Sequence, residues 1–160
     1  GSLEKDIKDV EKQIRKTLTG DERFKKLFQQ CSSVDGVGMI TTAYIIVTTN
    51  EFITITNAKK YACYAGVAPF EHTSGTSVSG RTRVSHMANK TIKTLLHMAA
   101  LSAIQMKGDL QDFYLRKKVE GKHVMSVLNA IRNKIIARVF ACVNNNRIYQ
   151  KNYSFSLVNP

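Results

Sequence analysis

Two stretches, residues 92–104 and 124–142, constrain the fold of this chain most. In both, apolar residues recur at spacings of three and four. This period matches the 3.6 residues of a helical turn, so each stretch predicts a long helix with one buried face. Phe52, Ile53 and Ile55 favour extended backbone, but the run is too short for a convincing sheet. The sequence therefore predicts an all-α domain.

Capping residues and glycines indicate where the helices begin and end. Asp21 and Asp109 are expected to cap helices, as is Asn57 or Thr56, because a side-chain oxygen there can accept from free backbone N–H groups. Asn89 or a neighbouring residue is expected to start another helix. Gly20, Gly66, Gly108 and Gly121 follow helical patterns and should end or interrupt them. The predicted helices span residues 3–18, 21–30, 39–49, 58–64, 89–106, 110–120 and 122–144.

The first predicted helix carries an apolar seam with heptad-like spacing, formed by Leu3, Ile7, Val10, Ile14 and Leu18. Such a seam fits an ordinary surface helix and fits equally the end of a coiled coil. We take residues 1–2 as a cloning scar and residues 3–30 as the end of a coiled coil or helical linker. Residues 31–144 form the main domain, and residues 145–160 form a polar tail.

Charge points to a polyanionic partner. The 160-residue chain has 24 Lys and Arg against 12 Asp and Glu, a net charge of +12. Residues 81–134 hold eleven of the bases and three of the acids. Such a balance favours nucleic acid first and an anionic membrane surface second.

No run of about 18 apolar residues indicates a membrane span, and no signal peptide is expected. The three well-separated cysteines are expected to be reduced, which suits a cytoplasmic protein.

A glycine turn at Gly36 and Gly38 precedes the third predicted helix. Glycine permits positive φ and close approach, and a helix N-terminus exposes free N–H groups that attract anions. The pattern resembles the hairpin of helix-hairpin-helix modules, which contact DNA phosphates. A simple turn between two packed helices would have the same sequence.

The long loop "FEHTSGTSVSGRTRVS", residues 70–85, is rich in hydroxyl groups and arginine. It could be a slack linker, a phosphate cradle or a loop that presents a nucleophile. A serine needs a base and nearby cations to attack a phosphate, and Arg81 and Arg83 could bind phosphate oxygens. His72 is a possible site residue, whereas His97, in an apolar helix, is more often a core residue.

Motifs of the common enzymes are missing. The acids after residue 30 are few, and neither a metal-protease motif nor a phosphate-binding P-loop motif occurs. We therefore expect no metal and no cofactor within this domain.

At "VDGVGMITTAYIIVT", "YAGVAP", "SG", "GR" and "AALSAI", in that order, the chain resembles a known family. It is similar to the C-terminal transposase domain of the serine-dependent, bridge-RNA-guided insertion-sequence transposases, which are related to Piv-type DNA invertases. The resemblance covers about residues 33–140. Residues 86–89 depart from it, because His86-Met87-Ala88-Asn89 stands where the family often has lysine-arginine-glycine-asparagine.

The resemblance implies a bacterial, cytoplasmic, nucleoid-associated enzyme of DNA recombination and transposition. Its family joins an acidic RuvC-like domain, the expected site of Mg²⁺, to a coiled coil and then to this domain. The partners implied are DNA, a structured guide RNA and further copies of the protein, as a dimer or tetramer, with no membrane. The family's nucleophile falls on Ser74, whereas Ser77 and Ser79 have no match.

We expect phosphate or DNA contacts from three groups of residues. The loop contributes two arginines, the glycine turn two backbone N–H groups, and the helices four surface cations. These residues are Arg81, Arg83, Gly36, Gly38, Lys90, Lys93, Arg132 and Lys134. The alternative is a non-catalytic helix-hairpin-helix module for DNA or RNA, and a third class is a dimerisation domain built on residues 3–18. The loop residues 73–83 are expected to be mobile.

Overall fold

A computed structural model describes residues 1–70, 73–74, 78–79, 83–84 and 89–151. Of Pro69, Phe70 and the three short segments that follow, only the backbone pairing is described. Over these residues the fold is helical, as predicted, apart from four two-residue strands between the fourth and fifth helices. Its helices are α1 (Ser2–Thr19), α2 (Glu22–Ser32), α3 (Met39–Thr48), α4 (Ala58–Ala65), α5 (Lys90–Ala103), α6 (Asp109–Val119) and α7 (Val124–Asn144).

The predicted caps Asp21 and Asn57 and the predicted start of α5 near Asn89 are confirmed. Asp21 Oδ1 accepts from the backbone N–H groups of Arg23 and Phe24, at 2.8 and 3.3 Å. Asn57 and Asn89 cap α4 and α5 in the same way. These side chains satisfy N–H groups that have no partner within their own helix, which fixes the first turn.

The boundaries of the last three helices differ from the prediction. α5 ends at Ala103, and Gln105 and Met106 continue it only as tight turns, with their N–H groups bonded three residues back. The prediction that Asp109 caps α6 is wrong, because Gly108 is the N-cap and Asp109 is the first helical residue. α7 begins two residues later than predicted, where His123 Nδ1 accepts from Met125 N at 3.3 Å.

The last helix forms the centre of the core. α7 packs against α2, α4, α5 and α6, so most of its circumference is buried. Around Phe140 the rings of Phe52 and Tyr61 lie with centroids 4.9 and 5.4 Å away. The buried residues of α7 are Val127, Leu128, Ile131, Arg132, Ile135, Ile136, Val139, Phe140 and Cys142.

The first helix is held at one end only. Leu18 is its buried residue, and Ile14 packs partly on the core. Leu3, Ile7 and Val10 are exposed, with Leu3 at 75%. The seam therefore exists as predicted, and its two interpretations, surface helix or end of a coiled coil, both remain predictions.

The cysteines are unpaired, as predicted. Cys31 and Cys142 are buried and Cys63 is exposed. Burial, with the neighbouring Cys142, raises the pKa of the Cys31 thiol to about 12, so this thiol is protonated and unreactive at neutral pH. None of the described helices combines the length and apolar character needed to cross a membrane.

Candidate nucleic-acid site

The chain between α4 and α5 contains two nested backbone pairings, and we call residues 69–84 the arm. β1 (Pro69–Phe70) pairs antiparallel with β4 (Arg83–Val84). Within that pair, β2 (Thr73–Ser74) pairs antiparallel with β3 (Val78–Ser79). Ser74 therefore belongs to the inner pair, away from the helices that the arm connects.

The structure describes some of the predicted site residues in the arm and not others. Ser74 lies opposite Val78, and Arg83 lies opposite Phe70 in the outer pair. His72 and Arg81 lie outside the described residues, and so does most of the segment 73–83 for which mobility was predicted. The roles proposed for these residues remain predictions.

The first leg of the arm is fixed by α7. Gly66 ends α4 with a φ of +69°, and the chain then turns back so that Val67 N donates to Ala62 O at 3.0 Å. The buried Val67 carbonyl accepts from two side-chain amides of α7, Asn129 Nδ2 at 2.8 Å and Asn133 Nδ2 at 2.9 Å. Two donors on one buried carbonyl hold this leg against the core.

Beyond the second leg of the arm, the chain is fixed at Asn89, five residues after Val84. Asn89 Oδ1 caps α5 by accepting from Thr91 N and Ile92 N, and it also accepts from the Tyr44 hydroxyl at 3.2 Å. Asn89 Nδ2 donates to the Tyr64 hydroxyl at 2.9 Å, and Asn89 N donates to Tyr64 O at 3.0 Å. One side chain thus connects α3, α4 and α5.

These contacts form what we call the arm base: Tyr44, Tyr64, Val67, Asn89, Asn129 and Asn133. The base orients both legs relative to four helices, so the arm leaves the domain from a defined position. Sequence reasoning identified Asn89 or a neighbour as the start of a helix but missed the other members. The signal available was a pair of asparagines four residues apart in the last helix, a spacing that places both amides on one face.

Lys90 and Lys93 lie on the first turn of α5, next to the arm base. Lys90 is exposed and Lys93 is half-buried, and neither forms an ion pair with another described residue. Cations at a helix N-terminus are disfavoured by the helix dipole. Helix stability therefore does not explain these two lysines, and an anionic partner would.

The glycine turn is packed against α5. Gly36 has a φ of +85°, and a Cβ built on it would lie 2.2 Å from Ala99 O and 3.0 Å from Ala103 Cβ. Asp35, beside it, forms an ion pair with Lys151 at 3.3 Å. Glycine is required at residue 36 by this close approach, irrespective of any ligand.

Gly38 differs from Gly36. It is exposed, a Cβ added to it would meet no atom within 4 Å, and it is the N-cap of α3 without a side-chain cap. The first N–H groups of α3 are therefore left for an outside acceptor. α2 and α3 flank this turn as a helix-hairpin-helix module requires, and its contact with DNA remains a prediction.

The expectation that Arg132 belongs to a surface is wrong. Its side chain is 6% exposed, and Nη2 lies 2.5 Å from His97 Nδ1 on α5. Burial, and then the charge of Arg132, lower the pKa of His97, so the imidazole stays neutral and can accept from the guanidinium. The apolar period of α7 turns this position toward α5.

Lys134 is exposed, as predicted, and its Nζ lies 4.8 Å from the centroid of the Phe113 ring on α6. It faces away from the arm base. Among the described residues, no group of three or more His, Cys, Asp and Glu side chains is arranged to bind a metal ion.

The comparison with protein families gives the class of protein. Residues 28–115 match the transposase family IS116/IS110/IS902. This match covers more than half of the chain, from α2 through the arm to α6, and the chain belongs to that family.

Individual relatives support the same assignment. The chain is 27% identical over 135 residues to an uncharacterized 44.8 kDa protein of insertion element IS116 from Streptomyces clavuligerus, covering 84% of the chain and 33% of the relative. It is 26% identical over 121 residues to the pilin gene-inverting protein of Moraxella lacunata, covering 75% of the chain and 38% of the relative. The chain thus spans between a third and two fifths of these proteins' lengths.

Proposed function

We propose that this chain is the catalytic C-terminal domain of a bacterial insertion-sequence transposase, which cuts and rejoins DNA through Ser74. Family membership supports the class of reaction, as does the likeness to proteins named for an insertion element and for gene inversion. The observation that carries the site is the arm, because Ser74 lies in its inner backbone pair and the chain on either side of the arm is held by the arm base.

The reaction follows from the chemistry of a serine nucleophile. Ser74 Oγ attacks a DNA phosphorus, an oxygen–phosphorus bond to one deoxyribose breaks, and the departing sugar oxygen leaves as a hydroxyl. The serine proton passes to a general base, for which His72 is a candidate. Attack by a hydroxyl of another strand on the phosphoserine then restores Ser74 and a phosphodiester bond. This sequence needs no external energy source, because each bond broken is replaced.

Other residues supply binding. Arg81 and Arg83 would contact the scissile phosphate through planar guanidinium groups. Lys90 and Lys93 would attract the DNA beside the arm base, while Gly38, with Gly36 behind it, would offer the N–H groups of the α3 N-terminus.

We further propose the partners of the complete protein. A RuvC-like N-terminal domain would hold Mg²⁺, and no step within this domain is assigned to a metal. A structured guide RNA would select donor and target DNA. The protein would act as a dimer or tetramer in the cytoplasm, associated with the nucleoid.

The direct test replaces Ser74 with Ala in a full-length protein that carries this domain. We expect strand exchange and the covalent protein–DNA adduct to fall by at least about a thousandfold, because the nucleophile is removed. Ser77→Ala and Ser79→Ala are matched controls in the same loop and should retain activity. An adduct that persists in the Ser74 variant, or is lost equally in all three, would contradict the assignment.

A non-catalytic helix-hairpin-helix module is the second candidate, favoured by the exposed α3 N-terminus behind Gly38. The two functions differ in one measurement. If the domain only binds, Ser74→Ala leaves every activity of the full-length protein intact, while binding still weakens steeply with salt.

A further inference from the structure

Three cations converge on one aromatic ring at the contact of α6 and α7. Lys134 Nζ, Arg116 Cζ and Lys117 Nζ lie 4.8, 5.6 and 6.0 Å from the centroid of Phe113. We call these four residues the α6–α7 cluster. It borders an open cavity of about 500 Å³ lined by Asp109, Leu110, Asp112, Phe113, Arg116 and Lys134.

The acids nearby neutralise only one of the three cations of this cluster. Asp109 is bound by Arg138, whose Nη1 lies 3.3 Å from Asp109 Oδ1. Glu120 pairs with Lys117 at 2.7 Å. Asp112 remains in the cavity wall, but Arg116 and Lys134 form no ion pair within the described part of the chain.

Helix stability explains only part of the arrangement. Arg116 and Lys117 lie in the last turn of α6, where cations are favoured by the helix dipole. Lys134 lies in the middle of α7, where the dipole gives no such benefit. The attraction of each cation to the Phe113 ring is modest at an exposed site, and the cations repel one another. A bound anion would remove that repulsion.

The cluster is separate from the arm base. Asn133 and Lys134 are consecutive residues of α7, so their side chains point about 100° apart around the helix. Asn133 faces Val67 at the foot of the arm, whereas Lys134 faces α6. A polyanion bound at the cluster therefore contacts a different side of α7 from the one that holds the Val67 carbonyl.

We propose that the α6–α7 cluster binds the phosphodiester backbone of a nucleic-acid duplex, as a second contact surface. The cations favour phosphate, and the long lysine and arginine side chains around an open cavity suit a backbone that is read by charge. This surface rests on the proposed function for its choice of nucleic acid, but it requires no reaction at Ser74.

The test measures binding of this chain to labelled 25-base-pair duplexes of DNA and of RNA by fluorescence anisotropy, over a range of salt. The variant combines Arg116→Gln, Lys117→Gln and Lys134→Gln. The control removes the same charge from exposed positions on α1, with Lys5→Gln, Lys8→Gln and Lys12→Gln. Melting by circular dichroism should show both variants folded, because all six residues lie outside the core.

We expect the cluster variant to bind at least one duplex about tenfold or more weakly at 0.1 M salt, with the logarithmic salt slope reduced by about two units. The α1 control should keep the parent slope. The duplex whose slope changes identifies the ligand as DNA, RNA or both.

Two results would overturn the proposal. Equal losses in the cluster and α1 variants would mean that only net charge matters. Binding that depends on the cluster for vesicles of 30% phosphatidylserine, but for neither duplex, would make the surface a membrane contact. The assay measures binding without strand exchange, so a failure of this surface and a failure of the proposed reaction at Ser74 are distinguished.

Discussion

The glycine turn carries candidate nucleic-acid residues and the arm base supports the arm that carries others, and the two regions are held in opposite ways. The turn is fixed by close packing, since α5 leaves no room for a Cβ at Gly36. The arm base is fixed by side-chain hydrogen bonds, from Asn89 on one leg and from Asn129 and Asn133 on the other. Residue 36 of the turn has no room for an added methyl group. The arm base, in contrast, should lose stability when individual hydrogen-bond donors or acceptors are removed.

The largest effect on stability is expected from Gly36→Ala. The new methyl group would meet the Ala99 carbonyl at 2.2 Å, and backbone at a φ of +85° is strained for alanine. Overpacking and backbone strain together should lower the free energy of unfolding by about 3 kcal/mol or more. Urea denaturation followed by circular dichroism would show this as a lower midpoint.

Gly38→Ala is the matched control two residues away. Its Cβ would meet no atom within 4 Å, and its φ is −89°, which alanine adopts freely. The change should stay within about 0.5 kcal/mol. Similar losses in the two variants would show that the turn is not fixed by packing on α5.

Asn89→Ala should give the next largest effect. It removes the cap of α5 and the side-chain contacts with Tyr44 and Tyr64, so we expect a loss of about 2 kcal/mol in unfolding free energy. Asn89→Asp keeps the accepting oxygen and loses the amide that donates to the Tyr64 hydroxyl. It should therefore cost about half as much. Equal losses for Ala and Asp would mean that the link to Tyr64 is the main contribution and the cap is minor.

The two amides on the Val67 carbonyl should act as mutual substitutes. Asn129→Ala or Asn133→Ala leaves one donor in place, so each should cost about 1 kcal/mol. Asn129→Ala should lower the unfolding free energy less than Asn133→Ala, because the buried Asn129 Oδ1 has no hydrogen-bond partner and its removal relieves that cost. The double variant should cost more than the sum, because it orphans a buried carbonyl. Strict additivity in a double-mutant cycle would contradict the shared acceptor.

Local signals made much of the fold predictable. The caps Asp21, Asn57 and Asn89, and the positive φ of Gly66, depend on residues within one turn of themselves, which sequence patterns report well. The all-α class followed from apolar periodicity. The arm's position between α4 and α5 followed from composition, but its nested pairing did not, because serine and threonine there carry no clear alternation.

Long-range contacts made the rest unpredictable. Arg132 was expected on a surface because arginine is rarely buried, yet its partner His97 lies 35 residues away on another helix. The requirement for glycine at residue 36 depends on α5 crossing the turn, and the role of Tyr44 depends on Asn89, 45 residues later. Family resemblance proposed Ser74, which no local pattern could have separated from Ser77 and Ser79.

The smallest predicted effect comes from the pair of His97 and Arg132, which joins α5 to α7. This contact depends neither on close packing nor on a fully satisfied set of hydrogen bonds, because Arg132 Nε is buried without a partner. The pKa of His97 is lowered, first by burial and then by Arg132. The unfolded chain therefore binds a proton more readily than the folded one, beginning near the ordinary histidine pKa of about 6.5. Stability should be constant above that pH and should fall as the pH drops below it, until the folded state also takes up the proton.

His97→Gln should flatten this part of the pH profile, because glutamine can accept from the guanidinium without titrating. The measurement is the unfolding free energy from pH 7.5 to 5, with His123→Gln as the control, since His123 lies exposed at the start of α7. The carboxylates contribute chiefly at lower pH, so the difference between the variants isolates one imidazole. If the His97 variant leaves the pH profile of the parent unchanged, Arg132 does not depend on a neutral partner at residue 97.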